Sequence, residues 1–146
     1  MAPPTLRGTA RVVGLLAMAS IYLGIGTLHF LRPEGFVQIV PPFVPWPLAT
    51  VYVSGVAELA LGIGLLVPRT RALAAWGVVA LLIAVFPANL YHWWGDVAVG
   101  GQTAPPLYHA LRLPMQAVLI AWAALYVRGA SPDAARANEL RAASTR

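Results

Sequence analysis

Cysteine and lysine are both absent from this 146-residue chain, and only five of its residues are acidic. Without cysteine there are no structural disulfides, no thiolate metal ligands and no dithiol relay, which removes one class of membrane redox enzyme. No motif forms a nucleophile triad, a phosphate loop or a metal-ligand cluster, so no metal is expected and the isolated chain is not expected to be an enzyme. Charge is scarce too, at 10% of residues against 59% hydrophobic, where an average soluble domain carries about 25% charge. With a mean hydropathy of +0.71, the chain has too little polar surface to keep its outside wet, and the bilayer is its expected solvent.

What the chain has in abundance is apolar length. Residues 12–31, 48–67, 72–94 and 110–127 form four segments, each near the ~20 residues that a helix needs to cross ~30 Å of hydrocarbon. The expected fold is all-α, an integral-membrane antiparallel four-helix bundle. The fourth segment is the shortest, and Arg112 near its start is expected to snorkel to the interface. Ala17-Met18-Ala19 has the small-residue pattern of a signal-peptide cleavage site. The apolar run continues to Leu31, however, and cleavage there would leave an apolar region of only about six residues, so a retained span is expected.

The arginines set the expected orientation. Arg7, Arg11, Arg69, Arg71, Arg128, Arg136, Arg141 and Arg146 flank one side, and only Arg32 and Arg112 the other. Positive charge collects on cytoplasmic flanks, so both termini are expected there, with residues 1–11 as a cytoplasmic segment and 129–146 as a polar cytoplasmic tail. The formal charge of +5 reflects this topology and attraction to anionic lipid. Its arginines are split into small juxtamembrane groups, which excludes a nucleic-acid surface.

The connection 32–47, RPEGFVQIVPPFVPWP, is too apolar for an ordinary solvated loop. Pro33 and Glu34 are helix starters, and Phe36, Ile39, Val40 and Phe43 recur at i, i+3, i+4 and i+7, which predicts a short interfacial helix. Its favoured role is a membrane-surface anchor with Trp46 in the aromatic belt; a lid over the bundle mouth is the alternative. PRTRA makes a tight turn between spans two and three. Gly100-Gly101 and Pro105-Pro106 predict a flexible connection between spans three and four.

One carboxylate, Glu58, interrupts the apolar run YVSGVAELALGIGLLVP. It lies about ten residues into its span, roughly 15 Å deep, near the bilayer midplane. Ser54, Glu58 and Gly62 share a face at i, i+4 spacing with Gly55 beside them, so Glu58 is expected to face neighbouring helices. His29, Asn89, Arg112 and Gln116 bring polar groups from the other three spans. Pro87 removes a helical hydrogen bond just below Asn89 and is expected to widen the bundle into a cleft. Two roles fit: a buried polar network that fixes helix pairing, and a site for a polar headgroup or a proton. His29, His92 and His109 raise haem or metal ligation, but no ligand spacing supports it, and interfacial histidines beside Trp93 and Trp94 are the preferred reading.

The ordered motifs GTLHFLRPEGF, IVPPFVPWP, YVSGVAELALGIGLLVPRTR, FPAN and RLPMQ, covering roughly residues 22 to 122, resemble the DoxX-like family of small four-span membrane proteins. His29, Ser54, Gly55, Glu58, Gly62, Pro87, Asn89, Arg112 and Gln116 sit on its motif positions. Relatives include a membrane subunit of a thiosulfate:quinone oxidoreductase, a factor for methylamine dehydrogenase maturation, membrane partners of oxidative-stress enzymes and a receptor chaperone. The resemblance implies a bacterial inner-membrane protein serving a quinone-linked or oxidative-stress redox system. Quinone is then the candidate cofactor, and a membrane or periplasmic redox protein or a second copy of the chain the candidate partner. Glu58 would exchange protons, Arg112 and Gln116 would contact a headgroup, and Asn89 and His29 would line the mouth. An assembly factor and a proton-linked transporter are the alternatives.

Overall fold

The computed structural model describes residues 6–127; the expected polar tail at 129–146 lies outside them. Five helices follow one another: α1 Leu6–Leu31, α2 Pro33–Gln38, α3 Pro47–Leu66, α4 Arg71–Trp94 and α5 Pro106–Val127. No strand occurs among the described residues, and four of the helices are long and apolar enough to cross a membrane. The chain is an all-α, multi-pass membrane protein. Its four long helices alternate in direction, so one end of the bundle holds the start of α1, the end of α5 and the α3–α4 turn, and is called the terminal end. The other, the loop end, holds α2 and the α4–α5 connection.

Proline sets most helix boundaries. Pro33, Pro47 and Pro106 open α2, α3 and α5, where a missing N–H leaves no hydrogen bond broken. The last of these starts α5 four residues before the expected Ala110, whereas α3 and α4 begin and end within a residue of expectation. In the first connection the apolar periodicity running to Phe43 predicted a longer helix than forms. α2 stops at Gln38, because Pro41-Pro42 remove two donors and disfavour α geometry in the residue before each. Trp46, held between Pro45 and Pro47, takes a left-handed conformation at φ 49° and stands exposed. At the terminal end the α3–α4 turn caps α3 with side chains. Thr70 Oγ1 donates to the Gly64 carbonyl at 2.9 Å and Arg71 Nε to that of Leu65 at 3.0 Å, satisfying acceptors that a helix end leaves open.

The α4–α5 connection contains a defined turn at its two glycines. Gly100 and Gly101, at φ 62° and 81°, make a tight turn closed by paired hydrogen bonds between Val99 and Gln102. Two successive positive φ values are what a two-residue hairpin turn requires. The Gly100 N–H then donates to Gln38 Oε1 at 3.0 Å, tying this turn to α2 across the loop end.

Packing runs from α1 to α3, α3 to α4 and α4 to α5. The apolar core of Leu15, Met18, Ala19, Tyr22, Leu65, Ala74, Ala75, Val78, Leu82, Ala123 and Tyr126 fills the terminal half. There α1 and α5 are joined: Tyr126 Oη donates to the Arg11 carbonyl at 3.0 Å, and Arg11 Nη2 to that of Leu125 at 3.1 Å. In the loop half most buried side chains are instead polar, namely His29, Glu58, Asn89, His92, His109 and Gln116, beside the apolar Ile39 and Val51.

Backbone contact between α1 and α3 sets the geometry of this polar half. A Cβ on Gly55 would stand 2.7 Å from His29 Cβ and 2.9 Å from the Phe30 ring, and one on Gly26 only 3.0 Å from the Gly55 carbonyl. Gly62 continues the same face against Leu23. Gly55→Leu is therefore expected to force the helices apart and destabilise the fold by about 1–3 kcal/mol. Thermal unfolding of the purified protein in mild detergent measures this. Gly24→Leu, at a position where a Cβ meets nothing within 4 Å, is expected to leave the midpoint nearly unchanged.

Candidate functional site

The loop half encloses a cavity of about 400 Å³, within the usual range of small-molecule sites. Five of the candidate residues named from the sequence line it: His29, Glu58, Asn89, Arg112 and Gln116. Ser54 and Pro87 line it as well, while Gly55 and Gly62 lie behind, on the α1–α3 contact. The rest of the wall is mainly apolar, with Ile25 from α1, Val85 from α4 and Leu119 from α5. The α2 connection roofs it with Phe36, Ile39 and Val44. The connection thus lines the mouth, as a lid would, while Phe43 and Trp46 are exposed beside it, as an anchor requires.

One wall carries an acid and an imidazole. Glu58, at 8% exposure near the middle of α3, places Oε2 at 3.1 Å from His29 Nδ1. The same nitrogen lies 2.9 Å from the Ile25 carbonyl, one turn back in α1. Two oxygens around one ring nitrogen require that it carry hydrogen. That hydrogen is aligned on the carbonyl, and Glu58 Oε2, although within ion-pair distance, is left with no hydrogen bond in a buried position. Phe36 stacks on the outer face of His29, ring centroids 3.8 Å apart and 22° from parallel. Helix α2 thereby covers the pair.

The opposite wall carries amides and a cation. Asn89 Nδ2 donates to Gln116 Oε1 at 2.9 Å, and Gln116 Nε2 donates in turn to the Leu82 carbonyl. Leu82 is one residue before Ile83, whose carbonyl loses its helical donor at Pro87. The amide chain clamps α4 to α5 where proline weakens α4. Gln116 thus bonds α4 through both amide atoms while also lining the cavity. Arg112 sits in the second turn of α5 and donates through Nη1 to His92 Nδ1 at 3.1 Å and to Tyr108 Oη at 2.9 Å, with its guanidinium 5.6 Å from the Tyr108 ring. Because a guanidinium only donates, His92 accepts through Nδ1 and is neutral, with its proton on Nε2. Both partners of Arg112 are therefore uncharged. Among the described residues the ion pair recorded is that of His29 with Glu58.

His92 and His109, near the loop-end termini of α4 and α5, are buried at 4% exposure with perpendicular rings 4.7 Å apart. Among the described residues no three His, Asp or Glu side chains gather to hold a metal. Tyr22 and Phe36 also line the cavity and were not singled out as site residues. The spacing of Tyr22 and His29, two helical turns apart on one face, is the signal that could have found the first.

A family described as a domain of unknown function, DUF8561, matches residues 18–127. The chain belongs to that family. The DUF8561 region begins at Met18, a fully buried core residue of α1, and takes in every cavity-lining side chain and the α2 roof. No curated protein and no solved structure matches the chain.

Coupling across the amide clamp is measurable. In a cycle of Asn89→Leu, Gln116→Leu and the double variant, the interaction is expected at about 0.6–1.7 kcal/mol, the range found for hydrogen bonds between membrane helices. Thermal unfolding in detergent reads it, and strict additivity would remove the clamp.

Proposed function

We propose that this protein is a quinone-binding accessory subunit of a membrane redox system, similar to the DoxX-like proteins, that holds the quinone ring in the loop-half cavity. The observation that carries this reading is the buried His29–Glu58 pair facing an apolar cavity at membrane depth. Intramembrane ionisable groups are rare and mark ligand and proton sites. An apolar wall suits a ring and its isoprenoid tail, and Arg112 on the opposite side offers donors to a ring oxygen. Glu58 and His29 take up or release the proton that accompanies quinone redox chemistry. Electrons pass to or from a membrane or periplasmic partner protein, which the DoxX-like resemblance supplies as the natural associate.

The chain resides in a bacterial inner membrane with both termini cytoplasmic, so the loop end and its cavity mouth face the periplasm. Arg11, Arg69 and Arg71 lie at the terminal end, in keeping with the positive-inside rule. A purely structural polar network is favoured for Asn89 and Gln116, whose amides bond to each other and to Leu82. It leaves Glu58 Oε2 unexplained.

Two measurements test these points. Purified in native lipid, the protein is expected to retain quinone in its lipid extract and to bind a short-chain benzoquinone on titration, with His29→Ala and Glu58→Ala each weakening binding at least tenfold. Absence of both bound quinone and titratable binding refutes the assignment. Since the chain has no native cysteine, Thr103→Cys and Arg69→Cys report sidedness: a membrane-impermeant maleimide is expected to label the first in intact spheroplasts and the second only after lysis.

A further inference from the structure

Resting on the quinone reading, we infer that the cavity opens sideways into hydrocarbon between α1 and α5, and that this gap holds the apolar tail of a ligand that enters from the bilayer. The helices pack in the order α1, α3, α4, α5, so the bundle closes only where α1 meets α5. Among the described residues the ties recorded between those two helices lie at the terminal end. Arg11 bonds the Leu125 carbonyl, Tyr126 bonds the Arg11 carbonyl, and a Cβ on Gly14 would stand 2.7 Å from Tyr126 Oη and 3.3 Å from the Trp122 ring. Nearer the loop end the cavity takes the place of such contact, lined by Ile21 and Ile25 from α1 and by Met115 and Leu119 from α5. Ile21 and Ile25 are each 37% exposed and Met115 53%, although all three line the cavity, so they stand at its rim. Ala84 and Pro87 of α4 line the cavity and are exposed too, as a floor beneath an open gap would be.

Depth decides what fills the gap. Ile21 lies about ten residues from the loop end of α1 and Met115 about nine from that of α5, so both stand roughly 14 Å below it, near the bilayer midplane. An apolar chain that passes between them stays in hydrocarbon and exposes no methylene to water. The polar groups lie nearer the loop end: Arg112 is about one turn above Met115 and His29 about two turns above Ile21. A molecule with a polar ring and an apolar tail is matched in that order, ring towards Arg112 and His29, tail towards the gap. The cavity's other edge, beside α2, has Phe43 and Thr50 exposed. It lies at the loop end, where a tail would meet headgroups and water. The tail is therefore part of what the site recognises, and the gap is its way in.

The test uses the full-length protein in mild detergent with two ligands, a dimethoxy-methyl-benzoquinone without a tail and the same ring on a six-carbon chain ending in a photoreactive diazirine. Each variant is compared with wild type for the same ligand, so partition of the chain into the micelle cancels. Ile25→Trp and Met115→Trp narrow the gap, and each is expected to weaken the tailed ligand about tenfold and the bare ring less than about twofold. Val118→Trp, at an exposed position of α5 that does not line the cavity, is expected to change neither. On illumination of wild type, the diazirine is expected to label residues 21–25 or 115–119, read by mass spectrometry of the digested protein. Labelling of residues 36–44 instead overturns the inference. Equal weakening of the two ligands, or of neither, by both tryptophan variants at wild-type melting midpoint also overturns it. Each of these outcomes spares the quinone site itself. The labelling needs no variant and decides the question where a tryptophan unfolds the bundle. Failure of both ligands to bind wild type overturns the quinone reading together with the inference.

Discussion

Contact between the backbones of α1 and α3 is the constraint on which the polar half of this bundle depends. Gly26 and Gly55 let the two helices approach until neither position has room for a Cβ. In lipid there is little hydrophobic force between helices, so close approach and the packing it permits provide much of the association. The contact lies one turn from both His29 and Glu58, and it sets their separation of 3.1 Å. The same spacing allows Phe36 to stack on the imidazole as soon as the chain leaves α1. A larger residue at 55 would displace the acid, the imidazole and the roof together.

The bundle divides its labour along its length. In the terminal half four helices share a dry core, and α1 and α5 are tied to each other's carbonyls through Arg11 and Tyr126. That closure leaves the loop half free to hold a cavity without loss of the fold. Polar groups at this depth would be costly if left to lipid, and most are satisfied locally. Thr27 and Ser54 bond to carbonyls within their own helices, at 2.7 and 2.8 Å, and Asn89 and Gln116 bond across α4 and α5. Against that background, Glu58 Oε2, His92 Nε2 and His109 Nδ1 stand out as buried polar atoms without a hydrogen-bond partner among the described residues.

Spans, bundle and the inward face of Glu58 were legible because each is a matter of length or local periodicity. Ser54, Gly55, Glu58 and Gly62 lie on one helical face, and that face turns out to be packed or to line the cavity. The partner of Glu58 was not legible. His29 lies a whole span and a loop away in sequence, and nothing in a 3.6-residue period says which depth of α1 meets which depth of α3; the glycines permit closeness without fixing register. The tie of Arg112 to His92 was hidden for a related reason: the two lie on different helices, and local periodicity does not say which depth of α4 meets which depth of α5. The early end of α2 was readable from Pro41-Pro42. There the apolar spacing marked Phe36, Ile39 and Val40 as side chains that face the bundle, while Phe43, the last of the series, stands exposed, and it did not mark a continuous helix.

The roof of the cavity depends on two connections at once. α2 is only six residues long and buries no residue of its own, too little to hold its position unaided. It is held at one edge by Phe36 on His29 and at the other by Gln38 on the Gly100 amide. The second bond exists only because Gly100 and Gly101 adopt positive φ, which turns that amide away from its own hairpin and towards α2. The roof is therefore linked to α1 through an aromatic stack and to the α4–α5 side through a single hydrogen bond. The first holds the imidazole that faces Glu58 and the second is remote from it. The bond at Gln38 is exposed while the stack on His29 covers the buried pair, so the two edges of the roof are held by different means and only one of them bears on the His29–Glu58 wall.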